Sequence, residues 1–458
     1  MFKKNSFITG TLLLTAAGFL SRFIGFFYRA FLSRTFGAEG MGIYQLLAPV
    51  MALSYSLTAA GIQTAISKYT AAETTTHNYR HSQKIIFSGF LLSVPLSFFC
   101  TWYIFHYADW IAAHFLLEIR CAPLLRLFAL SIPFCSIHSI INGYFYGIKR
   151  SSVPALTQIL EQITRVGSVY LLCSFMTMQG KTPSIACAVA GLTIGEGFSS
   201  LISIADAYLR FAKLNALPEK PLAVCQEKLR SHMAQKKFPA VCKQILAMSI
   251  PLTASRIVVN ILQSIEAVFI PQKLITYGFT SSQALSVYGV LTGMALPLVL
   301  FPGALINSAC VLLLPVISEA EETGKHERIV RAIKKSTYYC TLFGFICTAF
   351  FLIFGNFAGN VLFKSNMAGS FIMTLSFICP LLYLSGAYSS ILHGLGKTGL
   401  TLLFNVLSLL LRLFFVYYFI PAMGIRGYLY GLLFSQLVLT ALNLLAVYYA
   451  TPLFKQKN

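Results

Sequence analysis

The chain has 458 residues, 57% hydrophobic and only 11% charged, with 35 Lys and Arg against 14 Asp and Glu and a formal charge of +21. A mean hydropathy of +0.72 excludes an ordinary soluble domain and implies a polytopic membrane protein. The positive charge would suit nucleic acid, but most cations fall between apolar stretches, where they set topology and meet anionic lipid headgroups, so no nucleic-acid partner is expected.

A bilayer core of about 30 Å requires about 20 apolar residues per helix. Twelve such stretches are predicted, over residues 7–32, 42–66, 85–105, 124–146, 154–176, 184–208, 245–270, 285–315, 337–359, 371–393, 401–420 and 427–450. The first follows Lys3 and Lys4, but its apolar run is too long for a signal peptide and lacks a small-residue cleavage site, so it is read as a permanent helix. Trp102, Tyr103, Tyr107 and Trp110 mark the outer boundary of the third as an interfacial belt. Pro297, Pro302-Gly303 and Pro315 in the eighth predict either fixed kinks or a bending gate. Most of the 11 cysteines lie within helices and none forms a C-x-x-C pair, so neither a disulfide framework nor a metal site is expected. With both termini cytoplasmic, the inner segments hold 23 of the 35 cations, whereas the outer loops hold Arg34, Arg120, Lys181, Lys273, Lys364 and Arg426.

The polar interruption from Arg210 to Lys243 divides the chain into a lobe of six helices (1–209), a basic cytoplasmic linker (210–243) and a second lobe of six (244–458). At an offset of 247 residues Pro133 falls on Pro380, Gly147 on Gly394, Arg150 on Lys397 and Arg165 on Arg412; Ser21-Arg22 corresponds to Ser255-Arg256 at 234, with a longer loop after the seventh helix expected to absorb the difference. The expected fold is therefore all-α: a polytopic membrane protein of about twelve transmembrane helices in two lobes related by a parallel pseudo-two-fold repeat, a transporter architecture with its substrate site near the midplane.

Charged side chains deep in a span usually face a bundle interior or a watery cavity and mark a substrate pathway. Arg22, Arg165, Arg256 and Arg412 are such residues and suggest an anionic cargo. Arg165 has Glu161 four residues earlier, on the same helix face, so it is either half of a self-neutralised pair or a substrate contact. Arg412 either contacts substrate or serves polar groups of a neighbouring helix. Arg29 and Arg126 lie near the outer boundary, where they can snorkel. Glu161 and Glu196 lie inside spans, with Asp206 and Glu266 nearer helix ends. Glu196, between Gly195 and Gly197, is a candidate coupling site for a proton or cation, or else the balance of an arginine. His106, His114, Asp109 and Glu118 share one outer loop, read as solvated rather than metal-binding. No P-loop or other catalytic signature is present, and neither enzymatic activity nor a cofactor is expected.

The segments Ser21-Arg22, Gly25-Phe26, Tyr28-Arg29 and Phe36-Gly37-Ala38-Glu39-Gly40-Met41-Gly42-Ile43-Tyr44-Gln45 with Pro49 resemble the stage V sporulation protein B group of polysaccharide transporters. That group lies within the multidrug/oligosaccharidyl-lipid/polysaccharide exporter superfamily, together with lipid II flippases and multidrug extruders. The resemblance implies a flippase in the bacterial cytoplasmic membrane. It would move an undecaprenyl-diphosphate-linked saccharide, such as a lipid II-like peptidoglycan precursor, outward by alternating access, with cell-wall synthesis proteins as candidate partners. By the family's Ser-Arg-x-x-Gly-Phe motif Arg22 carries over as a diphosphate contact. Arg29 comes one residue later than the lipid II flippases place their second arginine. Two further readings are a cation-coupled multidrug antiporter, which should need intramembrane carboxylates more than arginines, and an integral membrane glycosyltransferase or polymerase, which would need acidic groups in an outer loop.

Overall fold

The computed structural model describes residues 2–75, 79–215 and 238–451; the central part of the linker expected at 210–243 lies outside them, as do Lys455 and Lys457. Among the described residues the chain is helical and contains no strand. In hydrocarbon no water serves backbone groups, so a helix that satisfies its own N–H and C=O is the stable form of these apolar runs. Hydroxyl side chains inside them turn back on the preceding turn: Ser54 donates to Val50 O, Thr58 to Ser54 O and Thr64 to Ala60 O. Large apolar side chains cover much of the surface, with Ile353 at 72% and Leu171 at 68% exposure and Phe98 and Leu403 similarly open, as lipid-facing positions require.

In the first half the helices are α1 (Phe2–Leu46), α2 (Ala48–Tyr55), α3 (Gly61–Thr75), α4 (Tyr79–His106), α5 (Ala108–Trp110), α6 (Ala122–Ala129), α7 (Ser131–Gly147), α8 (Ser152–Met178) and α9 (Ala186–Asn215). The second half has α10 (Phe238–Tyr277), α11 (Ser281–Gly289), α12 (Leu296–Leu300), α13 (Gly303–Glu322), α14 (His326–Phe363), α15 (Asn366–Leu375), α16 (Ile378–Gly394), α17 (Thr398–Tyr418), α18 (Ile420–Met423) and α19 (Ile425–Ala450). Eight runs are long and apolar enough to cross a membrane, and two pairs bent by 46° (Ile119–Ala129 with Ser131–Gly147) and 49° (Asn366–Leu375 with Ile378–Gly394) bring the number to ten. The twelve expected spans are all present as helix. Residues 13–74 hold the first two, separated where Gly37 leaves helical geometry at φ 71°, a conformation that only glycine adopts cheaply. The other is α8, whose Glu161 and Arg165 lower its apolarity. The prolines of the eighth span produce separate pieces rather than one kinked rod: Pro297 opens α12, and a turn at Phe301-Pro302 precedes α13.

By its contacts the chain forms two compact units, Met1–Gly25 with Leu47–Asn260, and Phe26–Leu46 with Ile261–Asn458. The division differs from the one at 209 and 244, because α1 and α10 each give their first part to one unit and their last part to the other. Each unit contains the same backbone sequence of events at the 247 offset. Leu117 (φ 56°) corresponds to Lys364 (φ 51°), and Lys149 (φ 58°) to Gly396 (φ 73°). Glu118 accepts a backbone bond at the helix start, as Ser365 does. Gly147 lies against Ser67 O and Thr70 Cβ, 2.8 and 2.6 Å from where its own Cβ would stand, and Gly394 lies likewise against Leu314 O and Ile317 Cβ, at 3.0 and 2.8 Å. All of these partners obey the same offset. The distance along the chain from the span arginine to the next positive-φ glycine is longer in the second half (Arg256 to Gly278) than in the first (Arg22 to Gly37), so α10 itself, and not a loop behind it, absorbs part of the difference.

Lipid tails are as apolar as leucine, so dense packing rather than escape from water holds such helices together. In the first unit Ile62, Ile66, Ile86, Ile140, Tyr144 and Phe145 form a buried cluster. Its counterpart in the second contains Ile317, Tyr388, Ile391, Leu392 and Val447. Arg34 has a structural role, since its guanidinium donates to Leu362 O at 3.0 Å and to Val361 O, serving carbonyls at the C-terminal end of α14 that have no partner within the helix.

Candidate functional site

The span arginines fall into two kinds. In the first unit α9 packs on α8 through glycines: a Cβ on Gly191 would lie 3.0 Å from Arg165 O, and one on Gly195 would lie 3.1 Å from Glu161 O and 3.2 Å from Arg165 Cβ. That close approach carries Glu196, next in sequence, to Arg165. Arg165 Nη2 is hydrogen-bonded to Glu161 Oε1 and lies 3.8 Å from Glu196 Oε1. From α7, His138 brings Nδ1 within 3.9 Å of Glu196 Oε2 and within 2.9 Å of the Ser199 hydroxyl. One guanidinium is thus shared by two carboxylates, with a buried imidazole beside them. The group includes three potential ligands, from His138, Glu161 and Glu196, whose donor atoms lie within 4.8 Å of one another.

In the second unit the pairing is one to one. Arg412 Nη2 meets Glu266 Oε2 at 3.0 Å, and the Tyr428 hydroxyl donates to Glu266 Oε1 at 2.9 Å. The Glu266 side chain is only 7% exposed, so its charge depends on that arginine. The carboxylate comes from α10, the guanidinium from α17 and the phenol from α19.

Arg22 and Arg256 are different. Both are exposed, and among the described residues neither forms an ion pair with a carboxylate. Both belong to the first unit, each a few residues before its helix passes into the second, after Gly25 and after Asn260. Gly25 of the Ser-Arg-x-x-Gly-Phe motif is a packing residue, its missing Cβ 3.3 Å from Gln162 Nε2 of α8. Arg256 lies within electrostatic range of Tyr55, whose hydroxyl donates to Gln63 at 2.8 Å. Arg29 is half-buried and falls in the second unit, apart from Arg22.

The segment from His106 to Glu118 does not gather its titratable groups. His106 stacks on Trp102 and His114 on Trp110, Asp109 pairs with Arg126 at 2.5 Å, and Glu118 with Arg120 at 2.7 Å. Of the three acidic residues that the catalytic reading could draw on, Glu39, Asp109 and Glu118, the last two are therefore each engaged by an arginine. Sequence reading passed over His138, which has no partner within a helical turn; its neighbours are far along the chain, on α8 and α9.

A family model described as polysaccharide biosynthesis protein matches residues 7–321. Stage V sporulation protein B of Bacillus subtilis (strain 168) is 27% identical over 455 residues, 98% of this chain and 85% of its own length. The lipid II flippase MurJ of the same organism is 21% identical over 345 residues, covering 72% of this chain and 61% of that protein. Among solved structures, an inward-facing multidrug resistance MATE family transporter of the MOP superfamily superposes with a TM-score of 0.74 at 15% identity, over 99% of both chains. A Pyrococcus furiosus MOP superfamily transporter described as having a binding pocket of reverse polarity gives 0.65 at 16%, over 99% and 96%. These likenesses establish the fold.

Proposed function

Since the chain belongs to the polysaccharide biosynthesis protein family and is a multi-pass MOP-superfamily transporter, we propose that it is a flippase for an undecaprenyl-diphosphate-linked saccharide. The cargo would pass from the cytoplasmic to the outer leaflet of the bacterial cytoplasmic membrane. The observation that carries this reading is the division of the span arginines. Arg165 and Arg412 are held by carboxylates, whereas among the described residues Arg22 and Arg256 have no carboxylate partner in their apolar helices. An unopposed cation at that depth is costly, and it is retained where an anion periodically supplies the missing charge. A diphosphate meets that need through charge-assisted hydrogen bonds that replace its hydration while the polyprenyl tail stays in lipid. Relatives of stated function are transporters or flippases, and Asp109 and Glu118 are engaged by arginines, which supports transport without covalent chemistry.

Arg22 and Arg256 are the substrate contacts in this reading, and Arg165 and Arg412 the paired framework; Arg29 is assigned no contact. An inside-negative potential assists outward movement of the anion by about 2.3 kcal/mol per charge per 100 mV.

The test is rescue of a bacterium depleted of its own lipid II flippase. The parent chain is expected to restore growth. Arg22→Ala and Arg256→Ala, at matched membrane levels, are expected to lose about 10- to 100-fold in transport, the equivalent of about 1.5–3 kcal/mol for one charged hydrogen bond. Failure of the well-expressed parent would point to another lipid-linked saccharide, and equal rescue by both variants would remove the arginines from the site.

A further inference from the structure

The two halves handle the same arginine differently. At the offset that places Arg165 on Arg412, His138 falls on Ser385 and Glu161 on Ser408. The last helix of each half is aligned by its glycines: Gly191 packs against Ser168 and Val169, and Gly431 against Phe415, the counterpart of Ser168. That register places Glu196 on Gln436. Contacts agree with it, since Gln436 Nε2 donates to Ser385 Oγ at 2.7 Å, whereas His138 Nδ1 and Glu196 Oε2 stand 3.9 Å apart. The second half thus has a closed neutral pair where the first has an open ionisable one.

Charge makes the same distinction. Arg412 and Glu266 cancel. Arg165 faces both Glu161 and Glu196, so with both carboxylates ionised this half-buried cluster carries one negative charge. His138 is also only partly served: it is 7% exposed, both ring nitrogens face the single Ser199 hydroxyl, at 2.9 and 3.3 Å, and one hydroxyl satisfies one nitrogen. The other nitrogen is left for a further partner. The two carboxylates, with donor atoms within 4.8 Å of each other and of the imidazole, also offer the oxygen ligands that a hard cation takes at about 2.4 Å.

We propose that His138, Glu161 and Glu196 form a binding site for one monovalent cation, a proton or Na⁺, in the first half of the chain only. Bound there, the cation completes the charge that Arg165 leaves unbalanced. A divalent ion would overshoot it. The groups facing the site are Cys135 and His138 from α7, Glu161 and Arg165 from α8, and Glu196 and Ser199 from α9; Tyr55 and Arg256 lie behind Cys135. Coupling of this cation to lipid transport rests on the flippase reading, but its binding does not.

The experiment uses the purified full chain in detergent, without lipid-linked substrate. Melting temperature is followed from pH 8 to pH 5.5 in NaCl and in choline chloride, for the parent, Glu196→Gln and His138→Ser. Both substitutions install the second half's own residues, which that half accommodates. A melting temperature at pH 8 that rises with NaCl, with the effect shrinking as pH falls and vanishing in Glu196→Gln, identifies Na⁺ in competition with a proton. A rise on acidification alone, flattened in both variants, identifies a proton. A flat parent, or a dependence that persists in the variants, overturns the site. A second readout needs only the parent: addition of NaCl, but not choline chloride, to a weakly buffered sample releases up to one proton per chain if the two cations compete. Rescue of flippase-depleted cells has no bearing on either measurement, so loss of the transport reading and loss of the cation site are separately visible.

Discussion

Glu266 shows what a single buried charge demands. Its carboxylate accepts from Tyr428 at 2.9 Å and pairs with Arg412 at 3.0 Å, and removing one partner of a buried pair leaves the other without compensation, at a cost of about 3–5 kcal/mol. Glu266→Ala is therefore expected to destabilise the second half by that amount in detergent unfolding, and adding Arg412→Leu to it should recover much of the loss. A single variant within 1 kcal/mol of the parent would mean that the pair does not carry charge balance there. Sequence alone could not make this assignment, because Glu266 and Arg412 lie on α10 and α17, with nothing local to join them. The Glu161–Arg165 pair was legible from its four-residue spacing, whereas the imidazole of His138 was hidden until α7, α8 and α9 were brought together.

At the scale of helices, apolar length and proline placement made almost every span readable, and the in-register Pro133/Pro380 and Gly147/Gly394 revealed the repeat. Less legible was how spans break. The Phe301-Pro302 turn divides what the hydropathy pattern presents as continuous over 285–315, because hydropathy records environment and not dihedral angle. The left-handed positions allow a direct comparison of the two halves. Lys149 adopts φ 58° where the second half has Gly396 at φ 73°, and a side chain there costs roughly 1–2 kcal/mol. Lys149→Gly should stabilise by up to about 1 kcal/mol once the freedom of glycine in the unfolded chain is counted, and Gly396→Ala should destabilise by about 1 kcal/mol. Thermal unfolding of the two variants should show shifts of opposite sign; shifts of one sign would contradict the shared geometry.

For the molecule as a whole, the distribution of Lys and Arg predicts an orientation with both termini inside. That orientation predicts that a cysteine placed at Glu321, before α14, reacts with an impermeant maleimide only after the cells are opened, and one placed at Lys364, after α14, reacts from outside. The reverse pattern would invert the direction of transport as well as the topology. The proposed anionic cargo adds a second expectation: flipping in vesicles should accelerate when the interior corresponding to the cytoplasm is made negative, by less than tenfold for small imposed potentials and progressively more for larger ones.

Leu117 and Lys364, like Lys149 and Gly396, share a backbone conformation but no chemistry. Across the two halves the bends agree where the side chains do not, and one half carries ionisable residues where the other is neutral. Remote kin of this protein should accordingly be traced by the positions of left-handed residues and glycine contacts rather than by identity of side chains.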